Sequence, residues 1–154
     1  MQYWLFKSEP GTFSIDNLAA ATGKTTCWDG VRNYQVRNCM RDQMQVGDQA
    51  FFYHSSCALP GIAGIITITR TGYPDHTQFD PEHDHYDPGS KPDAPRWLMV
   101  DVKLQRKLKR IITLDELRQY AGKQLAELLI LKRGNRLSVT PVSKQEWRFI
   151  LDLE

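Results

Sequence analysis

The sequence predicts an α+β domain: a small, mostly antiparallel β-barrel with peripheral helices. Two observations carry this. Five or six short stretches read as strands, bounded by Gly, Pro and Asp turn signals, with helical patterns scattered among them. The connections are hairpin-like or long, not the regular crossovers of a parallel α/β sheet. At 154 residues the chain is expected to form one domain, residues 1–154, with a sizeable core.

The elements follow in order. "YWLFK" (3–7) is apolar and aromatic and is ended by Ser8-Glu9-Pro10-Gly11, so it reads as a buried strand. "SIDNLAAA" (14–21) reads as a short helix with Ser14 as its N-cap. From Tyr34 to Met44, the spacing of Val36, Cys39, Met40 and Met44 places all four on one helical face. Gly47-Asp48 turns into a strand, "QAFFYH" (49–54), and Pro60-Gly61 leads to another, "IAGIITITR" (62–70). Residues 72–95 carry Pro74, Pro81, Pro88, Pro92 and Pro95, a density that predicts a long loop or lid. "WLMVDVKLQ" (97–105) alternates like a strand, with Leu98, Val100, Val102 and Leu104 on one face. Thr113–Glu116 is a capping box opening a helix, and Leu125, Leu128 and Leu129 suggest a second one. A Gly turn in "RGNRLSVTPV" (133–142) precedes a short strand ended at Pro141. Ser143–Glu146 caps a closing helix that points Trp147, Ile150 and Leu151 inward.

Composition narrows the function classes. No apolar run approaches the ~20 residues of a membrane span, and "MQYWLFKSEP" lacks the pattern of a secretory leader. No membrane role is expected, and the cytoplasm, or the nucleus in a eukaryote, is the expected compartment. The three cysteines (Cys27, Cys39, Cys57) are odd in number and show no CxxC spacing, so reduced thiols are expected. Residues 72–95 hold six carboxylates against Lys91 alone, a net of −5; with a total of +2, the rest of the chain carries +7. A basic body with one acidic loop suits an anionic partner approaching from one side, although a solvated surface explains the same charges.

Three constellations could carry chemistry. His76, His83 and His85 lie among aspartates in the acidic loop, but i, i+2 side chains of an extended segment diverge and Asp-Pro pairs are turn chemistry. No metal is expected there. His54 and Cys57 could form a base–nucleophile pair, but no nucleophile elbow, phosphate loop or cofactor motif accompanies them. No cofactor is expected. The third constellation is "WDGVRN" (28–33), a tryptophan and a Gly turn ahead of a helix N-terminus, where free N–H groups suit a phosphate or the acceptor edge of a base. Lys132, Arg133 and Arg136 around Gly134-Asn135 form a basic turn able to meet phosphate.

Taken in order, "WLFKSEP" (4–10), "WDGVRNYQVRN" (28–38), "FFYHS" (51–55), "YPD" (73–75), "PRWLMVDV" (95–102) and "RGNRLSV" (133–139) closely resemble the EVE domain family over essentially the whole chain. The resemblance implies a PUA-like fold, similar to the YTH domains that hold a methylated base in an aromatic cage. It therefore implies a non-catalytic reader of a flipped, modified base in DNA or RNA. Trp28 aligns with a cage tryptophan and would stack on the base. Lys7, Ser8, Gly30, Val31 and Asn33 would read its edge, and Tyr53, His54 and Ser55 would line the floor or rim. Arg32, Arg133 and Arg136 would neutralise phosphate. The cage would be closed by Tyr73, Phe79 or Tyr86, among which the motifs do not choose. A monomer is expected. The alternative is a small enzyme of the ASCH or hydrolase kind acting on a modified nucleoside, with His54 or Cys57 in the chemistry.

Overall fold

The computed structural model describes residues 1–154. Strand β1 (Tyr3–Ser8) lies parallel to β3 (Gln49–His54), and the alternation of the two strands divides the molecule. Trp4, Phe6, Ala50 and Phe52 face one core; Leu5, Phe51 and Tyr53 face the other. The first core is covered by α1 (Ile15–Ala20) and α2 (Tyr34–Asp42), and the second by α3 (Leu114–Arg118), the turns that follow it and α4 (Lys144–Leu153). Both faces of the sheet are buried, so its central strands read as continuous apolar runs.

The sheet is completed by β2 (Thr25–Trp28), β4 (Gly61–Pro74), β5 (Leu98–Thr113) and β6 (Val139–Val142), in the order β2-β5-β4-β3-β1-β6. Every neighbouring pair except β1–β3 is antiparallel. This corrects the expectation of a barrel. The sheet is open, because its two edge strands, β2 and β6, are four residues each and do not pair with one another. Edge position also explains why Pro141 sits inside β6 without breaking a central ladder.

Other boundaries differ from the sequence reading for identifiable reasons. The strand at Leu98 continues to Thr113 through "RKLKRIIT", where Leu108 and Ile112 are buried between exposed basic residues. The expected helix around Leu125–Leu129 is a run of turns ending in a 3-10 turn at Leu129–Leu131. Leu125 and Leu128 are buried there without helical backbone. Trp28, read as a turn residue, is the last residue of β2 and pairs with Val100. The 72–95 segment begins as the end of β4 and contains one 3-10 turn at His76–Phe79. The caps at Ser14, Asn33, Thr113 and Ser143 all form, and Ser14 and Ser143 close full capping boxes.

Candidate nucleic-acid interface

The C-terminal ends of β1 and β2 converge beside the first core and leave a cleft of about 650 Å³. Its walls are Lys7 and Ser8 from β1, Glu9, Thr12 and Phe13 from the turn before α1, Thr26–Trp28 from β2, Asp29 just after it, and Asp84 and His85 from the acidic loop. Trp28 is 9% exposed and belongs to the core as well as to the cleft. Two edge-on contacts fix its ring, with Phe6 at 5.1 Å and 75° and with Phe52 at 5.6 Å and 87°. Trp4 and Trp97 spend their indole N–H groups on Asp48 and Asp87, whereas that of Trp28 makes no such bond. The indole is thus held by perpendicular aromatic contacts where it forms part of the cleft wall.

The cleft is buckled shut on its loop side by Asp75. This fully buried carboxylate accepts hydrogen bonds from Gly30 N (2.8 Å), Arg32 Nη1 (3.0 Å), Thr77 N (2.8 Å) and Thr77 Oγ1 (2.5 Å). Burial alone would raise its pKa. The hydrogen bonds from Thr77, Gly30 and Arg32 outweigh that and hold the carboxyl below its ordinary value. Arg32 then donates Nε (3.1 Å) and Nη2 (2.7 Å) to the carbonyl of His85. The His85 ring lies on Gly30, where a Cβ would come within 2.5 Å of its Cε1 and where φ is +81°. Only glycine satisfies both the close approach and the left-handed backbone.

The structure brings some of the expected site residues together and separates others. Lys7, Ser8 and Trp28 line the cleft, and burial lowers the Lys7 pKa. Gly30 borders it, with its N–H committed to Asp75. Val31 is in the core. Asn33 is exposed and caps α2, its Oδ1 accepting from Val36 N at 3.1 Å, so that helix terminus is already satisfied. Tyr53 faces the other core, where burial pushes its phenol up to about 12. His54 and Ser55 act from behind: His54 Nε2 accepts from Ile15 N at 3.1 Å, and Ser55 N donates to the Ser8 carbonyl at 2.9 Å. That contact ties His54 to the start of α1. Arg32 is a structural residue: its guanidinium is consumed by Asp75, Thr77 and His85 and is turned inward, not toward a phosphate.

Arg133 and Arg136 are exposed and unpaired, on a turn tied to the cleft because Lys7 N donates to the Ser138 carbonyl at 2.8 Å. None of the three loop aromatics closes the cleft. Tyr73 donates its hydroxyl to Asp101 beneath the Arg70 guanidinium, Phe79 is half-buried and Tyr86 is 39% exposed on the loop. The loop contributes His85 and Asp84 instead. His85 was visible in the sequence only as a possible metal ligand, and Asp75 only as part of "YPD". A second groove of about 770 Å³ runs beside β6 and the start of α4. Its one aromatic wall, Tyr3, is already stacked on Trp147 at 4.5 Å.

The molecule is thus an open α+β sheet with an aromatic-walled cleft, and its exposed arginines stand on a turn hydrogen-bonded to β1. The chain belongs to the EVE domain family, which it matches over residues 2–153. It is 48% identical to human thymocyte nuclear protein 1 over 99% of this chain and 73% of the relative, and 39% identical to an uncharacterised protein of Schizosaccharomyces pombe. Among solved structures, it superposes with a TM-score of 0.94 and 48% identity on human THYN1 protein in complex with 5-methylcytosine-containing DNA, covering 99% of this chain and 97% of that one. A protein from Pseudomonas putida matches with a TM-score of 0.92 and 48% identity over 98% of each chain.

Proposed function

We propose that this protein binds 5-methylcytosine in DNA as a non-catalytic reader, taking the flipped base against Trp28. The observation that carries the reading is the Trp28-walled cleft, on a chain 48% identical to a protein solved with 5-methylcytosine-containing DNA. One stacked base is worth ~1–3 kcal/mol, and flipping costs a few. Stacking and two or three hydrogen bonds therefore only just offset extrusion. Weak binding that depends on the fit of the modifying group is the expected behaviour, and it is tested by comparing one duplex with a single 5-methylcytosine or cytosine at the same position.

Arg133 and Arg136 supply the phosphate contacts in this reading. Arg133→Ala and Arg136→Ala are expected to weaken modified and unmodified strands alike, and each to lower the salt slope by about one. Titrations at several salt concentrations check this. A loss confined to the modified strand would assign these side chains to the base.

A further inference from the structure

One buried polar atom beside the cleft has no partner. His85 Nδ1 is fully buried and makes no hydrogen bond. Such groups are rare in folded proteins because they have surrendered water for nothing. The rest of the residue is tightly held. Its carbonyl receives both Arg32 hydrogen bonds, its N–H donates to His83 Nδ1 at 3.0 Å, and its ring lies over Gly30 and lines the cleft. The backbone is thus clamped while the imidazole keeps an unspent hydrogen-bonding site. Rotation of the ring about Cβ–Cγ breaks no hydrogen bond at Nδ1, because there is none to break.

We propose that His85 is a base-contacting wall of the cleft on the loop side, and that its ring turns about Cβ–Cγ to carry Nδ1 from its place against Gly30 to the polar edge of the base held against Trp28. The proposal rests on the base-reading function above. Arg32 is then a positioning residue, and the absence of a loop aromatic from the cleft has a reason: the loop supplies a hydrogen-bonding ring instead.

Three variants at one position separate hydrogen bonding from packing. His85→Phe keeps a ring and has no hydrogen-bonding atom. His85→Asn offers a polar atom near the place of Nδ1. His85→Ala has neither. The probe is a duplex with one 5-methylcytosine, read by fluorescence anisotropy beside its unmodified counterpart, with melting curves taken in parallel. His85→Phe and His85→Ala are expected to bind the methylated duplex about tenfold more weakly, the worth of one hydrogen bond, and His85→Asn to recover part of that loss. Binding of the unmodified duplex should change little, because its cytosine stays stacked in the helix and does not reach the cleft. A His85→Phe protein with wild-type preference for the methylated duplex overturns the role of His85 and leaves the reader function standing. A wild-type protein with no preference between the duplexes overturns the reader function and this proposal with it.

Discussion

Trp28→Ala is expected to lower stability by about 3–5 kcal/mol and, wherever the protein stays folded, to abolish its preference for the modified base. The family resemblance gives this indole the role of a pocket wall. The structure adds a second role: at 9% exposure, in perpendicular contact with Phe6 and Phe52, it also belongs to the core. Truncation leaves a cavity in the first core and removes the stacking surface in one stroke. Trp28→Phe separates the two roles, because a smaller ring fills part of the space and still presents a face. It should keep most of the stability and lose part of the ~1–3 kcal/mol of stacking. Chemical denaturation and oligonucleotide titration of both variants check this. A Trp28→Ala protein as stable as wild type would place the ring outside the core.

Asp75→Ala is expected to cost a similar amount, about 3–5 kcal/mol. The change strips four hydrogen bonds from donors on Gly30, Arg32 and Thr77 and strands a guanidinium whose side chain is only 22% exposed. The cleft should open with it, since the Trp28–Gly30 turn and the His85 loop are tied to each other through this carboxylate. The pH dependence follows from the lowered pKa of Asp75. The folded state binds this proton less readily than the unfolded chain does. Its contribution is therefore complete above the ordinary carboxylate value near 4 and is lost as pH falls through the lower folded value. Wild type should lose this increment on acidification, whereas Asp75→Ala should lack it at every pH. Denaturation at pH 7 and at pH 3 measures the difference.

The parts of this fold legible in the sequence were those set by local physics. The strand at 3–7, the stripe of Val36, Met40 and Met44, and the caps at Ser14, Thr113 and Ser143 depend on spacing and on side chains within four residues. The first half of β5 was legible because it alternates. Its second half was hidden because charged residues dominate the solvent side. β2 was hidden because four residues of "TTCW" carry almost no pattern, and an edge strand is defined by its partner. The openness of the sheet depends on which strands pair at long range, which no local signal encodes. In the site, the family resemblance singles out Lys7, Ser8 and Trp28, which lie together along the cleft. Arg32 was misread because a basic residue beside a helix N-terminus looks the same whether it faces phosphate or Asp75, and the deciding carboxylate lies 43 residues away. Tyr53 was misplaced by one step of strand alternation, with its neighbour Phe52 on the cleft side of the sheet. His85 was overlooked as a wall because its place depends on the Arg32 clamp and the Gly30 contact together.

The most direct measurement of the central claim is an NMR titration of the tryptophan indole N–H signals with an oligonucleotide carrying one 5-methylcytosine, the Trp28 signal being assigned by its absence from Trp28→Phe. Trp4 and Trp97 are sealed and hydrogen-bonded to Asp48 and Asp87, and Trp147 is in the other core. The expected result is a saturable shift of the Trp28 signal that is much weaker with the unmodified oligonucleotide, while the other three stay in place. Binding that leaves the Trp28 signal unmoved would contradict the assignment of this cleft as the base-binding site.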